Sequence, residues 1–309
     1  MRRTLLMFAC LAGVRVHAQV PDTDVYVARL SRRGDSLVAG PAINVTMRAG
    51  YDNQPAFLPD SRRLLYTSIG ADAQADIWEY DLATRRRRRL TTTPESEYSA
   101  TVIPAGASAA LRFSAVRVER DSAQRLWSFD AMGGDPRLIL KDLKPVGYHA
   151  WVDSARLIAF VLGTPSTLHL IRADGTDDDI RARDIGRSIQ WSAVRRAFSY
   201  TVRDSARARW IVSQQLATSV ERRVAPASAD NEFHAWMPDG TLLTSIADTL
   251  VRRVERRAGG AWIAVADLRM NRVKHVSRIA VSANGRWLAF VAEPVVPAVP
   301  KDTARQRAR

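Results

Sequence analysis

An apolar or aromatic anchor that returns about every 45 residues, tight-turn chemistry directly after it, and the lack of any long stretch with helical period predict an all-β chain folded as a six-bladed β-propeller. The anchors are Phe57, Val102, Trp151, Trp191, Trp236 and Val281, separated by 45, 49, 40, 45 and 45 residues. A blade of four antiparallel strands needs about that much chain. It cannot bury both of its faces alone, so a large anchor is expected to fill the space against the next blade.

The clearest copy of the repeat, residues 55–66, reads as strand, tight turn, strand around Pro59-Asp60-Ser61. A second hairpin follows over residues 76–82, then an arginine run at 85–89 expected to form an exposed turn, then Leu90-Thr91. The unit recurs at residues 236–243, with Asp239-Gly240, and at 281–290, with Asn284-Gly285. These dipeptides supply the positive φ that a tight hairpin demands. Degenerate copies lie at residues 102–106, 151–160 and 191–194. The sixth anchor has one hairpin after it, while the N-terminal segments 24–30 and 37–46 form a strand pair without an anchor. Pairing the two ends of the chain completes the last blade and removes the open sheet edges.

The chain begins as an export signal does. Arg2 and Arg3 precede an apolar run from Leu5 to Val14, and Val16-His17-Ala18 offers a small-residue cleavage site. The expected organisation is a signal peptide over 1–18, a propeller over 19–293 and a basic, proline-containing disordered tail over 294–309. Cys10 is the only cysteine. Disulfides, thiolate catalysis and cysteine-ligated metals are therefore excluded from the mature chain. After the leader, no run is long enough for a membrane helix, so the expectation is a periplasmic or secreted protein with no transmembrane anchor. The net charge of +14 is almost all arginine, since lysine occurs only at 141, 144, 274 and 301. An exported protein rarely meets nucleic acid, and no nucleic-acid partner is expected.

The repeats resemble those of the TolB-like propellers, a bacterial WD40-like family. The matching residues are Phe57-Leu58-Pro59-Asp60, Asp76-Ile77-Trp78 with Leu90-Thr91, and 236–240. The chain also resembles secreted TolB-like proteins at residues 50–55, 96–99, 124–127, 147–149 and 185–188. The resemblance implies a periplasmic propeller that serves as a protein-binding platform, and it implies no activity. TolB itself carries an additional N-terminal α/β domain, and the resemblance of these repeats does not by itself imply membership of the Tol machinery.

In a propeller the segment leading into each innermost strand lies at one mouth of the axial channel. Two to five residues before each anchor stand Asp52, Asn53 and Gln54; Glu97 and Tyr98; Tyr148 and His149; Arg187 and Ser188; Asn231, Glu232 and His234; Ser277 and Arg278. Such a polar ring suits a small polar ligand or a partner's loop, and it also suits plain solvation. The acidic turn at Asp174, Asp177, Asp178 and Asp179 reads as an exposed hairpin loop. No nucleophile elbow, zinc-protease motif or phosphate loop is present. No catalytic residue, cofactor or resident metal is assigned. The leading expectation is a monomeric, non-enzymatic module binding an envelope protein or peptide at the mouth. The alternative is a hydrolase or lyase acting there on a small or carbohydrate substrate, with Glu97, His149 and Glu232 as its acid–base groups.

Overall fold

A computed structural model describes residues 21–105, 109–255 and 260–295. The leader and most of the tail, with Gly106 of the first degenerate copy, lie outside the described residues. The described residues form six four-stranded antiparallel sheets. Blades I to V follow one another along the chain, with innermost strands Asp52–Phe57, Ser96–Val102, Val146–Trp151, Ile185–Ser192 and His234–Trp236. Blade VI takes its two inner strands, Val273–Val281 and Trp287–Pro294, from the C-terminal part and its outer two, Asp24–Arg33 and Ser36–Asn44, from the N-terminal part. All six sequence anchors fall on innermost strands, near the end that leads into the first hairpin.

The closing seam is a regular antiparallel ladder in which Val25 faces Val291, Val27 faces Ala289 and Arg29 faces Trp287. Side chains alternate across a strand. Val25 and Val27 therefore pack with Leu64, Tyr66 and Tyr80 of blade I, while Tyr26 and Leu30 pack with Met237, Leu243 and Leu250 of blade V. That double burial explains why residues 24–28 are apolar after the initial aspartate. The same arrangement repeats around the ring, with an apolar cluster at each of the six blade junctions. The junction between blades IV and V is the thinnest, with only Ile211, Ala225 and Leu242 fully buried in it.

The signature turns behave as their chemistry requires. Gly240 and Gly285 have φ of 82° and 68°. The side chains of Asp239 and Asn284 accept from the backbone N–H two residues on. In the Pro59-Asp60-Ser61 copy, Ser61 itself takes φ 56°, and Asp60 accepts from the N–H groups of Arg62 and Arg63. The arginine run is divided. Arg85 closes the turn with φ 58°, and Arg87–Arg89 form the short outer strand of blade I. The expectation of a turn over 85–89 is corrected there, because Glu79 and Asp76 on the adjacent strand pair with Arg88 and Arg89 and favour a ladder. The acidic segment is a hairpin loop running into an outer strand, and Asp178 accepts from or pairs with His169 Nδ1 at 2.6 Å.

Candidate ligand-binding site

The innermost strands of all six blades converge on an axial cavity of about 100 Å³. Gln54, Tyr148, His149, Arg187, Ser188, His234 and Arg278 of the expected set line it, together with Ser99, Thr101, Gln190 and Phe233. Asp52, Asn53, Glu97 and Tyr98 do not line it, and neither do Asn231, Glu232 and Ser277, which belong to an adjoining hollow of about 420 Å³ over blades IV to VI.

The two histidines occupy equivalent places. His149 Nε2 bonds Thr101 and Ser114 of blade II, at 2.8 and 2.6 Å, and the Trp151 indole N–H donates to the same Ser114 hydroxyl at 2.8 Å. His234 bonds Ser188 and Ser199 of blade IV through Nδ1 and Nε2, and the Trp236 indole donates to Ser199 at 2.8 Å. Each His–Ser–Trp set ties an innermost strand to the blade before it. Burial holds both imidazoles neutral, lowering the His149 pKa to about 3 and the His234 pKa to about 4.

The carboxylates are likewise occupied. Asp52 is fully buried and accepts from Arg48 at 3.0 and 3.2 Å. Glu97 is fully buried and accepts from Arg117 at 2.9 Å and from Thr93 at 2.5 Å. Desolvation raises both carboxyl pKa values against the pull of their arginines. The Asn53 side chain accepts from the Gln54 N–H, and Gln54 in turn accepts from Thr67 and from the Ser99 N–H of blade II. Buried polar groups satisfied in this way fix strand positions.

What faces outward is aromatic and cationic. The Arg278 guanidinium of blade VI lies 4.3 Å from the Phe233 ring centre and 4.7 Å from that of Tyr148. Its Nη2 donates to the Tyr148 hydroxyl at 2.8 Å, which spans the axis, because blades III and VI stand opposite in a ring of six. Arg187 is exposed, pairs with Glu232 at 2.7 Å and lies 5.7 Å from Phe233. Burial pushes the Tyr51 hydroxyl up to about 12, with Arg278 and Arg187 opposing and Tyr148 and Tyr98 adding to the shift. Sequence reasoning missed two of these groups. Tyr51 stands six residues before its anchor, one beyond the window considered, and Phe233 lies inside the window but is apolar. Among the described residues, no three His, Cys, Asp or Glu side chains come together as a metal-binding group.

The fold is a six-bladed propeller, as the repeats indicated, and it is similar to the propellers of TolB proteins. A protein from Agrobacterium tumefaciens described as a TolB candidate superposes with a TM-score of 0.65 at 16% identity, over 88% of this chain and 98% of that one. TolB from Acinetobacter baumannii gives 0.54 at 13% identity, over 86% of this chain and 63% of that one. A gluconolactonase from Xanthomonas campestris gives 0.58 at 10% identity, over 90% and 99%. Such identities establish the fold alone. No family model matches the chain, and no curated protein matches its sequence.

Proposed function

We propose that this chain is an exported, non-enzymatic binding module that receives a peptide or protein segment at the channel mouth. The observation that carries this reading is the division of labour among the polar groups. Asp52, Glu97, His149 and His234, which could move protons, are buried in bonds between strands and blades. The accessible edge presents arginine and aromatic side chains, the residue types that anchor protein interfaces. A hydrolase or lyase would need a proton donor and acceptor facing the channel, and of the triad Glu97, His149 and Glu232 only His149 lines the cavity. Likeness in fold both to TolB proteins and to a gluconolactonase leaves that alternative to be tested by substrate turnover.

The propeller of 19–293 works outside the cytoplasm on this reading, after removal of residues 1–18. N-terminal sequencing of the periplasmic form should begin at Gln19. Among the described residues no helix is long and apolar enough to cross a membrane. The functional test is photo-crosslinking in living cells with a reactive amino acid replacing Tyr51 at the mouth, compared with one replacing Leu138 on the rim. A discrete crosslinked protein from position 51 alone supports the reading. Equal crosslinking from both positions, or turnover in a screen of sugar lactones and glycans, overturns it.

A further inference from the structure

Two arginines stand at the mouth, and they are not equivalent. Arg187 has its counter-charge in Glu232. Arg278 has no carboxylate within salt-bridge distance among the described residues, although Tyr148 and Phe233 cover it from two sides. Aromatic rings stabilise a guanidinium and hold it in one orientation without neutralising its charge. One N–H is engaged by the Tyr148 hydroxyl, which leaves four of the five donors of the planar fork. Below lies the axial cavity, lined by Ser99 and His149 among others.

We propose that Arg278 is the seat for a carboxylate of the bound peptide, with Ser99 and His149 lining the floor beneath it. The proposal deepens the peptide-binding reading and rests on it. With ring faces covered, a ligand must meet the guanidinium along its edge, and a planar carboxylate matches that edge with two oxygens. A cavity of about 100 Å³, open towards the mouth, has room for a carboxyl group and a methylene or two. The Tyr148 bond across the axis fixes the fork beforehand, so little side-chain entropy is lost on binding. The carboxylate is either the C-terminal group of a chain or an Asp or Glu side chain, and the experiment separates them.

A random hexapeptide pool, prepared once with free C-termini and once amidated, is passed over the immobilised full-length chain, and the retained peptides are identified by mass spectrometry. Retention of the free-acid pool at least about tenfold above the amidated one assigns the C-terminal group. Equal retention with Asp and Glu enriched in both pools assigns the side chain. Arg278→Gln should abolish either preference, and Arg278→Lys should restore charge without the fork and recover only part. Tyr148→Phe keeps the ring but releases the fork from its hydrogen bond, and should bind more weakly than wild type while keeping the carboxylate preference. Each variant is first checked for an unchanged circular-dichroism spectrum. Retained peptides without carboxylate enrichment, or the same enrichment in a folded Arg278→Gln protein, overturn the seat while leaving the peptide module. A wild-type column that retains nothing overturns the peptide module, and the seat is then judged by the Arg278 Nε–Hε resonance during titration with acetate at constant ionic strength. Movement of that resonance upholds the seat, and a static resonance overturns it.

Discussion

Acidification should unfold this propeller through its two inter-blade histidines. Each imidazole is buried and neutral, with its pKa lowered by desolvation to about 3 at His149 and about 4 at His234, against 6.5 when exposed. A group whose folded pKa is depressed binds its proton first in the unfolded chain, so stability is complete above about pH 6.5 and declines as pH falls towards the folded values. At about pH 5 each histidine lies one and a half units below its unfolded pKa, which at about 1.4 kcal/mol per unit costs about 2 kcal/mol, or about 4 kcal/mol for the pair. Asp52 and Glu97 act in the opposite sense, because desolvation raises their folded pKa values and falling pH favours their protonated, folded forms. Carboxylates with lowered pKa values, such as Asp153 and Asp239, lose their contribution only below about pH 4, beneath the window. The comparison is therefore between wild type and a His149→Gln/His234→Gln double variant, in which the carboxylate contributions are common to both. Urea unfolding across about pH 7.5 to 5 should show a slope in wild type that is largely lost in the double variant. Equal slopes would refute the assignment of the histidines as neutral inter-blade ties.

Other perturbations probe different junctions. Gly133 has φ 85°, and an added Cβ would lie 2.2 Å from the Leu90 carbonyl oxygen of blade I, so Gly133→Ala should cost about 3 kcal/mol and lower the melting temperature by about 10 °C. Arg117→Met leaves Glu97 buried without its cation and should cost about 3–5 kcal/mol, with Glu97→Gln added to it recovering part of the loss in urea titrations. Val27→Asp places a charge in the cluster between blades VI and I and should prevent closure, seen as aggregation or loss of the cooperative melt. Amide exchange should be fastest, among the junctions, at blades IV and V, where the buried apolar cluster is smallest, and uniform protection around the ring would argue against that ranking.

The architecture was legible because its determinants are local and repeated. Trp151, Trp191 and Trp236 announce a blade by size, and Asp239-Gly240 and Asn284-Gly285 announce the turn after it by φ. The closing of the ring was legible for another reason: residues 24–30 and 37–46 alternate as strands yet have no anchor, and the last blade has an anchor yet lacks two strands. The arginine run was harder to read. Charge alone does not distinguish a solvated turn from an exposed outer strand, and the deciding partners, Asp76 and Glu79, lie on another strand.

Counting back from the anchors located the mouth along the channel axis without fixing where each side chain points. On a regular strand, side chains two apart share a face, and His149 with Trp151 and His234 with Trp236 do turn to the preceding blade together. A bulge breaks that rule, because one extra residue reverses the alternation beyond it. Five of the six innermost strands carry a register shift near the mouth: one extra residue between Asn53 and Ala56, Tyr98 and Thr101, Val146 and Tyr148, and Ser277 and Ile279, and two between Ile185 and Ile189. At Gln54 and Ser99 the irregular stretch includes a residue in the left-handed region, with φ of 58° and 56° and no glycine to signal it. Equal offsets consequently reach different surroundings: three residues before their anchors, Gln54 accepts from Thr67 and from the Ser99 N–H and Ser188 bonds His234, whereas Tyr148 and Arg278 meet each other across the axis. The bulges thus decide which residues of blades I, II, III, IV and VI reach the mouth, whereas the regular inner strand of blade V brings Phe233 and His234 there without one.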